Sequence, residues 1–214
     1  MNASDLGNIK NIIFDLGGVI LNIDHTLTEK CFAKFGIKNL FAHYKTLTED
    51  NYFDHFECGR ISADEFAAKL CADFGAEIER ELFVSAWNAL LQDLPVERVR
   101  ALESVKERYR TFLLSNTNEI HIDSFHSYMQ TSFGYPDLSH LFEKVYYSCR
   151  IGARKPDQEI FRIVLSDAGM NAHETLFLDD SGSNVASARA VGLHAVQIAG
   201  EVDLLSVLSG LRGV

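Results

Sequence analysis

Four short stretches of this 214-residue chain carry groups that could act together on a charged ligand. The apolar run Ile12-Ile13-Phe14 ends on Asp15 and then breaks on Gly17-Gly18. Phe112-Leu113-Leu114 ends on Ser115-Asn116, and Leu176-Phe177-Leu178 ends on Asp179-Asp180. Between these last two lies Arg154-Lys155-Pro156, at the start of a helical pattern. Carboxylates, a hydroxyl and an ammonium are the parts that hold a divalent cation, neutralise an anion and supply an oxygen nucleophile. Each stretch alone has an ordinary explanation. A Ser after a strand is a cap, an Asp pair is a turn, and a Lys before Pro is solvated. The informative feature is all four in one chain, provided one framework brings them together.

A parallel sheet is such a framework. Ile12, Ile13 and Phe14 are β-branched or aromatic with no polar residue among them, which suits a central strand buried on both faces. In parallel sheets the strands' carboxyl ends share one rim, where ligands bind. Gly17-Gly18 lets the backbone turn there and approach a small ligand. From Thr111 onward strands and helices alternate. Strands are expected at 111–114, 144–148, 175–178 and 195–198. One helix carries Ile160, Phe161, Val164, Leu165 and Ala168 on one face and stops at Gly169; another ends at Gly192, and a last one lies near 204–208. The expected fold class is α/β, a Rossmann-like parallel sheet with helices on both faces.

The interval between the first strand and this alternation is helical. A helix over 65–74 follows a capping box of Ser62 and Glu65 and ends at Gly75. A second fits 79–91, with Leu82, Phe83, Ala86 and Leu90 on one side, and Pro95 opens a third running to about 108. This is too long for one crossover. The expected division is an α/β core of 1–22 and 107–214 with a small all-helical cap domain inserted at 23–106. Trp87, Phe66 and Phe74 are read as cap core. His121, His126 and His140 match no metal-binding spacing and read as solvated or structural.

Bulk composition narrows the partners. Hydrophobic residues make up 47% of the chain, enough for a sizeable core. The formal net charge of -10 disfavours nucleic acid and anionic membranes. It does not exclude an anionic substrate, because a bound divalent cation inverts the local field. The 4 cysteines are scattered without a CxxC pair, so reduced thiols and a cytoplasmic setting are expected. Residues 1–10 are polar and lack the apolar core of a signal peptide. No stretch approaches the ~18 apolar residues of a membrane span.

The order of motifs resembles the haloacid dehalogenase superfamily of phosphohydrolases over essentially the whole chain. Phe14-Asp15-Leu16-Gly17-Gly18-Val19 matches its first motif except at the second acid. The strand ending at Ser115-Asn116, Lys155, and Leu178-Asp179-Asp180-Ser181-Gly182 match the others, and the helical insert sits where that family places a cap of the first type. Within the family the chain is similar to the bacterial α-D-glucose-1-phosphatase group. The resemblance implies Mg²⁺-dependent hydrolysis of a small phosphorylated metabolite, such as a sugar phosphate, through an aspartyl-phosphate on Asp15. It implies that Asp15, the backbone carbonyl of Gly17 and Asp180 hold the metal, with Asp179 orienting a water. Lys155 then neutralises the phosphoryl oxygens, and the Ser115 hydroxyl and Asn116 N–H cradle the phosphate. The countercharge is needed: unit charges ~4 Å apart repel by ~4 kcal/mol at an effective dielectric of ~20, and a phosphate dianion roughly doubles that.

One departure matters. The family's usual general acid is absent, since Gly17 has no side chain. Such help is typically worth ~10²–10⁴-fold, so turnover is expected to be slower but not abolished. Asp24 is a candidate substitute or substrate contact, with a helix N-cap as its plain alternative. Arg60, beside the turn at Gly59, is a candidate substrate contact from the cap, with a surface arginine as its alternative. Two other functions stay open: a metal-independent 2-haloacid dehalogenase, and a catalytically weakened phosphate-binding protein. A monomer or homodimer is expected.

Overall fold

The computed structural model describes residues 8–47, 51–199 and 203–211. The first seven residues of the polar N-terminal stretch therefore lie outside the described residues. Five strands form one parallel sheet: β1 (Asn11–Phe14), β2 (Arg110–Ser115), β3 (Lys144–Tyr147), β4 (Thr175–Asp179) and β5 (His194–Gln197), in the order β3-β2-β1-β4-β5. The wholly apolar first strand is central, and Ile12, Ile13 and Phe14 are fully buried.

The two-residue period of a strand sorts its side chains onto the two faces. Ile12, Phe14, Leu113, Leu176 and Leu178 point to one core, which is completed by α6 (Val96–Lys106), α7 (Glu119–Phe133) and α11 (Leu204–Ser209). Ile13, Phe112, Leu114 and Phe177 point to the other, beneath α9 (Gln158–Asp167) and α10 (Gly182–Ala190). Among the described residues no helix is long and apolar enough to cross a membrane.

Among the described residues, five helices lie between β1 and α6: α1 (His25–Ala33), α2 (Leu40–Tyr44), α3 (Tyr52–Glu57), α4 (Ala63–Phe74) and α5 (Arg80–Asn88). The predicted capping box at Ser62 and Glu65 forms on α4, and Gly75 closes that helix in the left-handed conformation. The interior of the insert is aromatic. Phe66 is fully buried, with ring centroids 4.4 Å from Phe56, 4.7 Å from Trp87 and 5.2 Å from Phe53. Such offset and edge-on contacts add to the burial term. Phe74 is only partly buried at the margin of this cluster.

Two expectations need adjustment. Of the side expected for this helix, Phe83, Ala86 and Leu90 are buried, but Leu82 is 49% exposed and Trp87 takes its place on the inward face. In addition α6, which lies inside the expected span 23–106, buries Val99, Leu102 and Val105 in the sheet's core rather than among the cap aromatics. In the other direction Ile120 of α7, a core helix, is buried in the aromatic cluster of the cap.

Candidate active site

Strand register builds the centre of the site. Phe14 pairs with Leu113 on one side and Leu178 on the other. One residue further on, Asp15, Leu114 and Asp179 therefore stand level at the sheet's carboxyl rim. Lys155 enters between them from the turn before α9. Its ammonium donates to Asp15 Oδ1 at 2.8 Å, to the Leu114 carbonyl at 2.8 Å and to Asp179 Oδ2 at 2.7 Å. These three bonds use every proton the ammonium has. Only 1% of Lys155 is exposed, and a charge so deeply buried persists only when paired in this way.

The backbone around Lys155 is also fixed. The Asn116 side chain donates to the Lys155 carbonyl at 2.8 Å and accepts from the Lys155 amide at 2.9 Å. Asp179 is saturated: Oδ1 accepts from the Ser181 amide at 2.8 Å, and Asn184 donates to both of its oxygens at 3.0 and 3.1 Å. Asp180, the next residue, is exposed enough to meet a ligand. Its position depends on Gly18. That residue has φ +76°, and a Cβ there would fall 2.5 Å from Asp180 Oδ2. Gly17 has no such constraint; a Cβ would meet only the tip of Ile23, at 3.2 Å.

Asp15, Asp179 and Asp180 bring carboxylate oxygens within 4.8 Å of one another. Burial, reinforced by the negative charge of Asp179 and only partly offset by Lys155, pushes the Asp15 carboxyl up to about 6. Burial, with Asp179 again adding, also raises Asp180 above the ordinary carboxylate range. Burial alone would draw Lys155 down, but the charges of Asp15 and Asp179 prevail and hold it above its ordinary value. Three acids thus face one ammonium, a local excess of negative charge on hard oxygen donors. A divalent cation fits this donor set, and Mg²⁺ favours such ligands. Ser115 is buried beside the cluster, its hydroxyl held only by a long contact of 3.5 Å to the Asn116 carbonyl, so it is available to a ligand.

A cavity of 460 Å³ lies between rim and cap. It reaches the sheet rim at Gly17, Ser115 and Asn116, and its other walls include residues of α1, α2, α3, α5 and α7. Arg154 crosses from core to cap here. It donates to Glu57 at 2.8 Å and Asp54 at 2.9 Å, and Tyr44 donates to the same Asp54 oxygen at 2.8 Å. The cap loop closes tightly on the core at Gly59, where a Cβ would lie 2.0 Å from the Cys149 carbonyl oxygen.

Neither expected substrate contact lines this cavity. Asp24 caps α1, accepting from the Thr26 amide at 2.9 Å, and Thr26's hydrogen bonds hold its carboxyl below the ordinary range. Asp24 thus stands in the helix N-cap role that was its plain alternative. Arg60 is exposed, since the turn at Gly59 carries it past the cavity, and Arg154 takes the arginine position between the domains. Sequence reasoning quoted Arg154 only as a neighbour of Lys155 and gave Asn184 no role. The adjacency to Lys155 was the usable signal for the first. For Asn184 the signal was its place in the first turn of the helix after the acidic pair.

The histidines divide. His126 bonds the Tyr147 hydroxyl at 3.0 Å and His140 stacks on Tyr135, both structural as expected. His121 lines the cavity while bonding Asn88 at 2.8 Å and stacking flat on Trp87 at 5.4 Å. Burial, aided by the charge of His25, pulls its pKa to about 3, so it is neutral. Trp87 serves both the cap core and the cavity wall.

Comparison with known proteins agrees with this geometry. D-ribitol-5-phosphate phosphatase from Bacteroides thetaiotaomicron is 32% identical over 189 residues, spanning 88% of this chain and 91% of the relative. Sesquiterpene phosphatase astK of Aspergillus oryzae is 27% identical, spanning 95% of both chains. A crystal structure of a haloacid dehalogenase family enzyme from B. thetaiotaomicron, an Asp12Ala mutant in complex with magnesium and inorganic phosphate, superposes with a TM-score of 0.82 at 32% identity. That match covers 93% of this chain and 98% of the other. The haloacid dehalogenase-like hydrolase profile matches residues 9–192, and the chain belongs to that family of hydrolases.

Proposed function

We propose that the protein is a Mg²⁺-dependent phosphatase that hydrolyses a small phosphate monoester through an aspartyl-phosphate on Asp15. The observation that carries this is the buried Lys155 ammonium bonded at once to Asp15, Asp179 and the Leu114 carbonyl, with the three carboxylates clustered around it. Asp15, Asp180 and the Gly17 carbonyl would hold the metal, whose charge offsets repulsion between carboxylate and phosphate dianion.

The chain's own residues account for the rest. Lys155 binds Asp15 Oδ1, which leaves the other oxygen to attack phosphorus. The Ser115 hydroxyl and the Asn116 N–H receive phosphoryl oxygens, and Lys155 adds positive charge beneath them. Asp179, locked by Asn184 and the Ser181 amide, orients groups around the acidic cluster instead of moving itself. Water then cleaves the acyl phosphate, releasing inorganic phosphate and restoring Asp15. Position 17 offers no general acid, so the leaving alkoxide takes its proton from water. The five helices from α1 to α5 form the cap that excludes bulk water during turnover. The scattered reduced cysteines suit a cytoplasmic enzyme.

A metal-independent dehalogenase would leave the clustering of three acids without a purpose. The two named relatives act on esters of unlike organic parts, one a polyol and one a sesquiterpene, so kinship carries the reaction but not the substrate. The test is phosphate release from a panel of monoesters with Mg²⁺ and with chelator. Release should require Mg²⁺, and Asp15→Asn should lower it by at least about 10³-fold with an unchanged circular dichroism spectrum. Full turnover by Asp15→Asn, or turnover indifferent to chelator, would reject the proposal.

A further inference from the structure

Resting on the phosphatase reading, we infer that the organic part of the substrate is apolar: a phosphate monoester of an aliphatic or aromatic alcohol, not of a sugar or polyol. The reaction is R–O–PO₃²⁻ + H₂O → R–OH + HPO₄²⁻, with R seated in the cavity between rim and cap. That cavity touches Gly17, Ser115 and Asn116.

Its walls are the first argument. Leu21 and Ile23 come from the loop after β1, Phe41 and Phe53 from the cap, Leu90 from the turn after α5 and Phe125 from α7. None can accept or donate a hydrogen bond. A polyol chain carries a hydroxyl on each carbon, and each must recover on binding the hydrogen bonds it gives up to water. An aliphatic or aromatic chain has no such debt and gains from leaving water.

The polar side chains in the lining are the second argument, because most of those beyond the rim are engaged with other protein groups. Tyr44 donates to Asp54 at 2.8 Å. Glu57 and Arg154 hold each other at 2.8 Å. Asn116 is tied to the Lys155 backbone, and the His121 ring is bonded to Asn88 and stacked on Trp87. Lys45 stands exposed in the lining, where an ammonium meets an incoming dianion better than it reads hydroxyl patterns. At 460 Å³ the space falls within the ~300–1,000 Å³ of ordinary small-molecule pockets.

The experiment compares esters matched in leaving group, all of primary alcohols: n-hexyl phosphate and 2-phenylethyl phosphate against D-ribitol 5-phosphate and D-glucose 6-phosphate. Acetyl phosphate, a mixed anhydride with a better leaving group and no large group to seat, serves as the control for phosphoryl transfer itself. The expected result is kcat/KM at least tenfold higher for the apolar pair, mainly through a lower KM. Equal or better turnover of the polyol pair overturns the inference and leaves the phosphatase standing. No hydrolysis of any of the four esters or of acetyl phosphate overturns the phosphatase reading and this inference with it. Phe41→Asn, at a half-buried wall position, should cut the apolar-to-polyol ratio by about tenfold. An unchanged ratio would show that the preference does not arise in this cavity.

Discussion

At the sheet rim each buried charge is bonded to a partner that cannot move. Lys155 spends three protons on three acceptors, Asp179 accepts from a lysine, an amide and an asparagine, and the strands beneath are held in register by their ladders. In the cap, order comes instead from ring packing around Phe66, where contacts are many, individually small and tolerant of repacking. The contrast separates two tasks. The rim fixes the reaction, because misplacing one atom there leaves a charge buried without its partner. On the proposed function the cap selects what the reaction is applied to, because it can change its inner surface by exchanging one apolar side chain for another. The two curated relatives, similar along most of this chain yet named for unlike substrates, fit that division.

Mutations should show the difference directly. The largest effect is expected from Lys155→Met, which strands Asp15 and Asp179 in the interior without a counter-ion. A loss of about 3–5 kcal/mol is expected for breaking such a pair. Differential scanning calorimetry should show it as a fall of roughly 10 °C, partly restored by Mg²⁺. A wild-type melting curve would mean that the rim is not held by its charges. Next comes Gly18→Ala, which sets a methyl against Asp180 Oδ2 in a backbone conformation costing about 1–2 kcal/mol for an L side chain. The Mg²⁺ concentration for half-maximal phosphate release should rise at least tenfold, with the cap's near-ultraviolet signal unchanged.

Smaller effects are expected where core and cap meet. Arg154→Met leaves Glu57, whose carboxyl burial already holds above its ordinary value, without its cation. A loss of about 1–3 kcal/mol should appear as a lower urea midpoint, clearly less than for Lys155→Met. The smallest effect is a pH dependence. The unfolded chain protonates His121 near its ordinary 6.5, while the folded protein refuses that proton until about pH 3. Stability from this residue is complete above pH 6.5 and drains as the pH falls, by at most about 1.4 kcal/mol per pH unit. His121→Gln should therefore flatten the drop in urea midpoint between pH 7.5 and 5. An equally steep drop in that variant would place the sensitivity elsewhere.

Much of the rim was legible in the sequence because strands announce themselves. Apolar runs ending in Asp15, Ser115 and Asp179 are local patterns, and parallel register does the rest without further information. The cap was less legible, since a helix's buried face depends on what it meets. Leu82 is as apolar as Phe83, yet only the neighbouring helices decide which of the two turns inward. Arg60 and Arg154 show the same limit. Both are arginines beside turns, and only the closure of Gly59 against Cys149 determines which one stands between the domains. The reach of α6 into the core was hidden for a related reason, because helical spacing tells that a face is buried but not in which of two interiors.

Ile120 gives the modular picture a practical edge. It belongs by chain order to the catalytic scaffold, yet its side chain is a brick in the aromatic interior of the insert. A cap cut out for study by itself would arrive with a hole in its middle, and a scaffold stripped of its cap would show water a greasy stub at the start of α7. Grafting foreign caps onto this chain should succeed or fail according to whether the newcomer has a socket for that one isoleucine.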